Sequence, residues 1–470
     1  MRKSNLSWAL LVALGLPLSS AAFAAETHIP DEVVKDATTL RDRALNDDTA
    51  WAIVESLTTE VGPRLAGSEG DARAVAWAKA KFKALGYDKV WTQDVTFPKW
   101  ERRSEHGEVL GHSSQALALT ALGGSPGGTV QGEVVRFDSL KALQAVAPGS
   151  LKGKIVFVDV PMPRARDGHG YGVGASVRRR GPGAASRAGA IGYVMRPAGT
   201  DWHRNVHTGM TGYDDQTPIP AASLSNNDAD QLARLVALGK TEIKLALDCG
   251  FNGTYTSQNV IGEITGSGKP DDIVALGAHL DSWDLGTGAI DDGGGIALTM
   301  AAGHLIKQMK TRPIRTIRVI AFANEEQGLW GGRVYAESQK DKIRRHQMVM
   351  ESDSGPGIIY AFGGSWGTEA EKAVKQMYDV IAPLGIAYTP QQGNAESEME
   401  LMQGSGAAAA AFAHDASRYF DLHHTPNDTL DKIDPKALQQ NTAAYAAVAL
   451  MAANADGSLG SGPALVKAKP

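Results

Sequence analysis

Imidazole and carboxylate side chains with the spacing of metal ligands are concentrated in the C-terminal half of this 470-residue chain. In chain order they are His279 and Asp281, Asp291-Asp292, Glu325-Glu326, Asp353 and His423-His424. Zn²⁺ accepts imidazole nitrogen and carboxylate oxygen at sites that keep one position for water. Three glycines follow Asp291-Asp292, and an Asp in such a tight turn suits the shared ligand of two ions about 3.5–4 Å apart. The residue types therefore predict a two-metal centre that activates water.

The number of carboxylates also favours two divalent ions. Three ligating carboxylates together with one hydroxide would balance the charge of two such ions, and a partly buried site tolerates that near-neutral state. We assign the carboxylates to Asp291, Glu326 and Asp353. His279 and His424 would complete the set with neutral donors.

Two further carboxylates could support this centre. Asp281 lies two residues after His279, on the same face of a strand, so it could accept the second imidazole N–H and hold the tautomer. Glu325 and Glu326 are adjacent, so their side chains diverge. One of them can bind metal while the other faces the water as a general base.

The other histidines leave one alternative open. His423 is adjacent to His424 and could replace it as a ligand. His203 and His207 lie in a different region of the chain, and we interpret them as non-ligands. None of the twelve histidines is followed by Glu, which excludes the H-E-x-x-H type of zinc site.

The elements that must position these residues alternate between strand and helix from residue 258 onward. The predicted strands are 260–264, 272–278, 316–323, 347–351 and 358–362. The predicted helices are 294–308, 329–339, 369–383 and 435–453. This alternation predicts an α/β sheet with helices on its faces, which binds ligands at the carboxyl ends of its strands. His279, Glu325 and Asp353 each follow a predicted strand, so we expect them to meet at one edge.

The preceding half of the chain divides into two regions. Helical periodicity at 50–60 and 72–85 is followed by strand-like alternation at 89–97. Farther on, short strands alternate with glycine-rich turns, at 130–135, 154–160 and 191–195, with one helix at 227–238. We predict that 25–124 and 254–456 form one domain and that 125–253 is a β-rich domain inserted into it.

Two segments are interpreted as solvent-exposed. The run Arg178-Arg179-Arg180 has the character of a solvated loop rather than of a phosphate-binding patch. Residues 457–470 are predicted to be a flexible tail.

The first 24 residues have the pattern of a signal peptide. Arg2 and Lys3 precede an apolar run at 8–18, and Ala22-Phe23-Ala24 offers a cleavage site. The run is shorter than the ~20 residues that span a bilayer, so we expect an exported chain, periplasmic or secreted, without a membrane anchor after cleavage. The single cysteine, Cys249, excludes an internal disulfide and thiolate zinc sites. The net charge of −5 argues against a nucleic-acid partner.

A serine nucleophile is the main competing interpretation. Gly363-Gly364-Ser365-Trp366-Gly367 matches G-x-S-x-G between a predicted strand and a predicted helix. Asp415 or Asp421 and then His424 would complete a Ser–Asp–His order. That reading makes Ser365 the nucleophile, but it leaves the other carboxylates without a role.

The stretch from His279 to Gly295 resembles the co-catalytic zinc exopeptidase family of aminopeptidases and glutamate carboxypeptidases. Glu325-Glu326-Gln327-Gly328, Met350-Glu351-Ser352-Asp353 and the segment from Glu60 to Ser68 resemble it as well, and the resemblance covers nearly the whole mature chain. It implies a mixed central β-sheet flanked by helices and a protease-associated domain in the insert. It also implies a homodimer that hydrolyses dipeptides or short peptides with free termini.

The resemblance further assigns individual roles. It implies two Zn²⁺ per chain, with Asp291 shared, on His279, Asp291, Glu326, Asp353 and His424. Asp281 would orient His279, Glu325 would be the general base, and the Asp291–Asp292 peptide bond would be cis. Co²⁺ or Mn²⁺ would suit the same donors.

Substrate contacts are less constrained by the sequence. A free α-amine could lie against the metals and their acidic ligands, and Arg418 beside Tyr419 is a candidate for binding a free carboxylate. Glu396-Ser397-Glu398 departs from the family's substrate-pocket loop, so Glu398 is a candidate contact and side-chain preference is not predicted. Two other classes stay open: a non-catalytic receptor on the same fold, and a single-zinc cyclase.

Overall fold

The structure is a computed structural model that describes residues 26–111 and 114–460. The predicted signal peptide, residues 1–24, and residues 461–470 of the predicted tail lie outside the described residues. Within the described ranges, no helix combines the length and the apolar character needed to cross a membrane.

Three helices open the described chain, namely α1 (Asp31–Ala44), α2 (Thr49–Ser56) and α3 (Glu69–Ala84). The predicted helices at 50–60 and 72–85 correspond to α2 with the helical turn Leu57–Val61 and to α3. Helix α3 begins at Ser68, whose hydroxyl accepts the N–H of Asp71 at 3.2 Å. The acidic side chains in its first turn also favour the helix dipole.

Strand β1 (Lys89–Val109) leads from α3 into a second unit of short strands and helices. The elements of this unit are β2 (Gln115–Leu117), β3 (Leu119–Ala121), β4 (Gly128–Phe137), α4 (Leu140–Gln144), β5 (Ile155–Val158), α5 (Tyr171–Arg187), β6 (Gly192–Met195), β7 (Ala221–Leu224) and α6 (Asn226–Leu238). Strands β4 to β7 pair in parallel, and helices cover them. Two apolar clusters form the core of this unit; one of them contains Phe157 and the other contains Tyr193.

Strand β8 (Glu242–Ile264) returns from this unit and pairs antiparallel with β1 along most of the length of both. The ribbon is longer than the sequence predicts, because the local pattern indicates strands only at 89–97 and 260–264. In the middle of the ribbon, residues on both faces are exposed. Apolar and polar residues therefore do not alternate there in the way that predicts a strand. The end of β8 near Ile264 pairs with the main sheet, while its beginning pairs with β4.

The elements of the main sheet and its helices follow in order. They are β9 (Lys269–His279), α7 (Gly294–Lys307), β10 (Arg315–Phe322), α8 (Trp330–Gln339), β11 (His346–Glu351), β12 (Ile359–Ser365), α9 (Glu371–Ile381), β13 (Ala387–Thr389), α10 (Ser397–Gly404), β14 (Ala409–His414), α11 (Tyr419–Leu422) and α12 (Pro435–Asn454). The strand order is β13-β12-β14-β11-β9-β10-β8. Strands β10, β9 and β11 are parallel, whereas β8 runs antiparallel to β10 and β12 runs antiparallel to β14. The prediction of a mixed α/β sheet flanked by helices is therefore confirmed.

Helix α12 is the central helix of the main core. It packs against α1, α7 and α9, and its residues from Ala437 to Asn454 are all buried. Its many alanines allow this close approach of helices on all sides. Asp434 caps its first turn by accepting the N–H of Lys436 at 2.8 Å, and Pro435 occupies the first helical position.

The arginine run at 178–180 is not the solvated loop that the sequence predicted. It lies inside α5, where Arg178 is buried and Arg179 and Arg180 are exposed. The glycines of this segment and Pro182 make the sequence pattern resemble a loop rather than a helix, because those residue types ordinarily occur in turns. Packing of α5 against β6 stabilises it despite its weak helix propensity.

The start of the predicted tail is packed against the main domain. Leu459 is fully buried, and the carbonyl of Gly457 accepts a hydrogen bond from Arg315 at 2.5 Å. The hydroxyl of Thr27 donates to the carbonyl of Ser458. Residues 457–459 are thus held by contacts with Thr27, near the start of the described chain, and with Arg315 of β10.

Candidate metal centre

The carboxyl ends of three parallel strands bring the predicted ligands to one edge of the sheet. His279 ends β9, Glu325 and Glu326 follow β10, and Asp353 follows β11. Because β9 lies between β10 and β11, these side chains are neighbours in space. The loop before α7 brings Asp291, and the segment after α11 brings the paired histidines.

Asp291 lies between two imidazoles. Its Oδ1 is 3.0 Å from His279 Nε2, and its Oδ2 is 3.2 Å from His424 Nε2. The residue is 3 % exposed, so its carboxylate is largely shielded from solvent. The Asp291–Asp292 peptide bond is cis. One carboxylate therefore contacts two separate imidazoles.

The other two predicted ligands complete the cluster on either side. Asp353 Oδ1 is 3.1 Å from His279 Nε2, and Glu326 Oε2 is 2.9 Å from His424 Nε2. The hydroxyl of Ser397 donates to Asp353 Oδ2, and Trp283 Nε1 donates to Glu326 Oε2 at 2.6 Å. Each imidazole therefore has its own carboxylate in addition to Asp291.

The Asp281 carboxylate forms its hydrogen bonds with the backbone that follows the neighbouring strand β10. Its Oδ1 accepts the N–H of Glu325 at 3.0 Å, and its Oδ2 accepts that of Glu326 at 3.4 Å. The contact with His279 Nδ1 comes from the Asp281 carbonyl at 3.0 Å, while the carboxylate lies at 3.6 Å. Asp281 thus orients His279 chiefly through its main chain and also holds Glu325-Glu326.

Two residues that the sequence analysis missed hold the loop before α7. The Asp428 carboxylate accepts the N–H of Ile290 at 2.5 Å and that of Asp291 at 3.2 Å. Arg64 is fully buried and donates to the carbonyls of Leu280, Thr287 and Gly288. Arg64 lies within the 60–68 stretch that resembles the family, whereas no sequence signal marks Asp428.

Asp292 has a different role from its neighbour. Its carboxylate accepts the N–H of His279 at 3.1 Å and that of Gly295 at 3.0 Å. Its oxygens therefore tie the end of β9 to the start of α7. This use of both oxygens fits a supporting role better than a ligand role.

Burial and like charge dominate the electrostatics of the site. Burial and then the charge of Asp353 raise the pKa of Glu325 well above its ordinary value, and burial raises that of Glu326 to about 7. Burial opposes the charging of His279, but its contacts with Asp281, Asp291 and Asp353 outweigh this and raise its pKa well above the usual range. So many buried carboxylates require nearby positive charge.

The donor set fits divalent zinc. One side-chain ligand atom from each of His279, Asp291 and Glu326 lies within 4.8 Å of the other two, and the same holds for His279, Asp353 and the supporting residue Asp292. Oε1 of Glu326 is buried without a hydrogen-bond partner, which leaves an oxygen free for a cation. Neutral imidazole with carboxylate is the combination that Zn²⁺ accepts.

A second histidine cluster lies directly beside this one. His207 Nε2 is 3.2 Å from His423 Nδ1, and His423 stacks on His424 with ring centroids 3.5 Å apart. His423 Nε2 is 3.6 Å from Asp291 Oδ2, farther than His424 is. His207 comes from the second unit, and His203 lies apart from it, paired with Asp201 at 2.8 Å. The second unit therefore contributes His207 to the immediate surroundings of the candidate metal centre.

A cavity of about 660 Å³ opens onto these residues. Among its lining residues are Tyr171, Arg178, Asp291, Glu325, Glu326, Arg333, Asp353, Glu400, Tyr419, His423 and His424. Tyr419, one of the predicted substrate contacts, lies in the wall, and its hydroxyl donates to the Asp353 carbonyl at 3.2 Å. A pocket with both acidic and basic walls can accept a zwitterionic ligand.

Two other predicted substrate contacts do not lie in this wall. Glu398 is 1 % exposed, packs against Gly332, and faces Glu351 because α10 turns it toward β11. Arg418 is exposed and lines a separate cavity near Pro356. These positions do not fit the substrate contacts that the sequence analysis assigned to them.

Ser365 occupies a structural position. It ends β12, is 6 % exposed, and its hydroxyl accepts a hydrogen bond from Gln403 Nε2 at 2.9 Å. It does not line the cavity that contains His424. The G-x-S-x-G match therefore lacks the exposed nucleophile that a serine hydrolase needs.

This chain is similar to known proteins along most of its length. The family model described as Peptidase family M28 matches residues 259–449. Mouse (Mus musculus) carboxypeptidase Q is 32 % identical over 407 residues, covering 85 % of this chain and 84 % of that protein. Carboxypeptidase Q of Xenopus laevis is 33 % identical over 401 residues, covering 84 % of this chain and 83 % of that protein.

Solved structures show the same architecture. The crystal structure of a peptidase M28 precursor from Shewanella amazonensis superposes with a TM-score of 0.89 at 45 % identity and covers 92 % of this chain and 99 % of that one. An aminopeptidase from Aneurinibacillus, at 23 % identity and a TM-score of 0.63, covers 92 % of this chain and 98 % of that one, and shares the fold. The fold and the histidine–carboxylate cluster define a metallopeptidase. This chain belongs to peptidase family M28.

Proposed function

We propose that this protein is an exported dizinc exopeptidase that hydrolyses dipeptides or short peptides with free termini. The observation that carries the proposal is the position of Asp291, whose two carboxylate oxygens face His279 and His424. Glu326 and Asp353 then supply one further carboxylate to each side. The names of the relatives, carboxypeptidase and aminopeptidase, support removal of residues from a chain end. We extend the proposal to a homodimer because of the family resemblance.

The ligand side chains divide into two groups around the shared carboxylate. His279 with Asp353 would hold one ion, and His424 with Glu326 would hold the other, while Asp291 would contribute to both. When bound, two zinc ions would polarise the scissile carbonyl and lower the pKa of water toward ~7. The main-chain contacts of Asp281 and Asp428 hold the ligands in place before any substrate arrives.

Glu325 is the residue that we propose as general base. It lines the cavity next to Glu326 but is not one of the imidazole-contacting carboxylates. The Asp281 carboxylate accepts its backbone N–H at 3.0 Å, which fixes the position of Glu325 beside the ligand cluster. Glu325 would accept a proton from the attacking water and deliver it to the leaving amine.

The Glu325→Gln variant tests this assignment. Glutamine keeps the size of the side chain but cannot accept the proton, so we expect kcat for dipeptide hydrolysis to fall by about 10²–10⁴-fold. Two zinc ions per chain should remain bound, measured by metal analysis of the purified protein. Glu400→Gln is the matched control, because Glu400 is an exposed carboxylate on the rim of the same cavity.

The same measurements separate the competing classes. One zinc per chain without release of free amino acid would favour a single-zinc cyclase. Metal binding without any turnover in the wild type would favour a receptor. Activity retained by Glu325→Gln would remove Glu325 from the base role while leaving the metal centre in place.

A further inference from the structure

Two buried histidines from different units form a pair at the wall of the proposed catalytic cavity. His423 directly precedes the proposed ligand His424 and is 6 % exposed, whereas His207 belongs to the second unit and is 2 % exposed. His207 Nε2 and His423 Nδ1 are 3.2 Å apart, which is a hydrogen-bond distance. Of the two rings, that of His423 lines the cavity. The proposed function uses neither side chain, so the role of the pair is unassigned.

The direction of this hydrogen bond decides where His423 carries its proton. A neutral imidazole has one N–H and one bare nitrogen, and burial of both rings disfavours the charged forms. If His423 donated from Nδ1, its Nε2 would be bare. If His423 instead accepts at Nδ1, its own N–H lies on Nε2 and faces the cavity.

The surroundings of the two outer nitrogens favour the second arrangement. His423 Nε2 is 3.6 Å from Asp291 Oδ2, and an ionised carboxylate only accepts, so a bare nitrogen there would face another lone pair. His207 Nδ1 is buried and has no hydrogen-bond partner on any other residue that the structure describes. A proton on that nitrogen would be a buried donor without an acceptor from another residue, which is costly. Both arguments place the protons on Nε2 of His207 and Nε2 of His423.

This tautomer distinguishes the two adjacent histidines. A nitrogen that carries a proton cannot bind a metal ion, so Nε2 of His423 is a hydrogen-bond donor and not a ligand. His424 Nδ1 lies 3.2 Å from the Thr208 carbonyl, which holds the proton on Nδ1 and leaves Nε2 free to bind metal. The two neighbouring rings therefore carry their protons on different nitrogens.

Ring contacts hold His423 in this orientation. Its ring stacks on that of His424 with centroids 3.5 Å apart and meets the Tyr171 ring edge-on at 5.1 Å. The Tyr419 ring lies 4.9 Å away, and the His423 N–H donates to the Tyr419 carbonyl at 2.9 Å. A donor that is fixed before the reaction stabilises developing charge without a cost of reorganisation.

We propose that His423 is a catalytic residue whose Nε2–H donates a hydrogen bond to the oxygen of the scissile carbonyl, and that His207 is the positioning residue that sets its tautomer. The proposal rests on the proposed peptidase function and adds a donor for the charge that develops in the transition state. Such donors act where negative charge forms on a carbonyl oxygen. The second unit would thereby take part in catalysis through His207.

His423 keeps its proton throughout this reaction. As the water oxygen bonds to the carbonyl carbon, one water proton passes to Glu325, and the electron pair of the C=O π bond moves to the carbonyl oxygen. His423 Nε2–H donates to that oxygen while it is negatively charged. When the C–N bond breaks, the oxygen's electron pair restores the C=O bond, the C–N pair leaves with the nitrogen, and the nitrogen takes the proton from Glu325. The second water proton stays with the new carboxyl group until that group ionises.

A matched pair of substitutions at position 423 tests the donor. Glutamine presents an amide N–H near the position of Nε2, whereas methionine has a similar length and no N–H. We expect kcat of zinc-loaded His423→Met for a dipeptide to fall about 10²–10³-fold with little change in KM, and kcat of His423→Gln to stay at least about 10-fold above that of His423→Met. Both variants should keep two zinc ions per chain in metal analysis. His203→Met, at an exposed histidine of the second unit, is the control and should match the wild type.

The corresponding pair at position 207 tests the positioning role. Glutamine can donate to His423 Nδ1 as His207 Nε2–H does, whereas methionine cannot. We expect kcat to fall about 10- to 100-fold in His207→Met and to be recovered in His207→Gln. A second readout is independent of activity, namely NMR of zinc-loaded protein labelled at the histidine ring nitrogens. The signals of His423, identified by their loss in His423→Gln, should show a protonated Nε2 and a bare Nδ1.

The outcomes for the two proposals differ. Equal losses in His423→Met and His423→Gln, or an unchanged kcat in His423→Met, would overturn the donor role while the peptidase function stands. Loss of one zinc ion from both variants would make His423 a ligand and overturn the donor role as well. A proton on His423 Nδ1 would overturn the tautomer and the role of His207.

The test does not depend on the methionine variants alone. If they do not fold, the NMR spectrum of the wild type still decides the tautomer, and complete loss of hydrolysis by folded His423→Gln would overturn the donor role. Absence of hydrolysis by the wild type would overturn the proposed function itself, and the catalytic role of His423 with it.

Discussion

Asp71 is a buried carboxylate whose hydrogen bonds hold a turn near the site. The residue is 4 % exposed, and its Oδ2 accepts the N–H of Gly67 at 2.9 Å while its Oδ1 accepts the Ser257 hydroxyl at 2.6 Å. Burial raises the pKa of Asp71 to about 6, although both hydrogen bonds oppose this. Desolvation outweighs hydrogen bonding here, so the folded protein favours the protonated form of Asp71 more than the unfolded chain does.

This preference predicts a specific pH dependence of stability. The unfolded pKa is about 3.9, so the stabilisation from protonated Asp71 is complete below about pH 4 and is lost as pH rises through about 6. Asp71→Asn does not titrate. We expect the unfolding free energy of the wild type, relative to Asp71→Asn, to fall by about 2–3 kcal/mol between pH 4 and 7. Urea unfolding of both proteins at several pH values measures it, and a constant difference would contradict the shifted pKa.

The loop from β9 to α7 is held by a single distant residue, Arg64. Arg64 Nε is 2.6 Å from the Leu280 carbonyl, and its two other nitrogens reach the carbonyls of Thr287 and Gly288 at 2.6 and 3.0 Å. One side chain thereby fixes both ends of the loop that leads to Asp291. Trp283, inside the same loop, packs edge-on against Trp100 with ring centroids 6.1 Å apart.

Replacing Arg64 should therefore weaken both the fold and the metal centre. Lysine at this position keeps the charge but cannot reach three carbonyls, and each buried carbonyl left without a donor costs about 1–3 kcal/mol. We expect Arg64→Lys to lower the unfolding free energy by at least about 2 kcal/mol and to weaken zinc binding about 10- to 100-fold. Chemical denaturation and zinc titration measure the two effects.

Arg312→Lys serves as the control for this substitution. Arg312 forms a surface ion pair with Asp88, and such pairs contribute about 0–1 kcal/mol. Similar losses in Arg64→Lys and Arg312→Lys would mean that the carbonyl contacts of Arg64 are not important for the loop.

The elements differ in how far their formation depends on residues that are close in the sequence. Strands β9, β10 and β11 are continuous buried runs, so their apolar residues alone predicted them. Helix α5 and most of the β1–β8 ribbon were missed, because glycines and polar residues weaken the local pattern there. Their stability comes from pairing and packing with segments far away in the sequence.

At the scale of the whole molecule, the metal centre joins segments from residue 279 to residue 424. Its carboxylates are buried close together, and their mutual repulsion opposes folding in the absence of cations. Bound zinc would therefore act as a cross-link between strand ends, the loop before α7 and the segment after α11. Ligands that bind only the folded state stabilise it by mass action.

Removal of metal should lower the stability of the whole chain. We expect the thermal unfolding midpoint to fall by several degrees after chelation and to recover when Zn²⁺ is restored, since free zinc at 100 times its Kd contributes about 2.7 kcal/mol per site. Differential scanning calorimetry of both forms measures this effect without an activity assay. Asp353→Asn should reduce the shift, and a midpoint that does not respond to chelation would contradict a zinc cross-link.

The sequence by itself determined the donor types, their positions after buried strands, and the α/β sheet that carries them. Those properties follow from local periodicity and from the chemistry of each side chain. Only the tertiary structure decided that Asp281 acts through the backbone of Glu325, and that Asp428 supports Asp291. Likewise, it alone brings Arg178 of α5 to the cavity. Each of these contacts joins residues 44 or more apart in sequence, so packing between separate elements, rather than any local pattern, produces it.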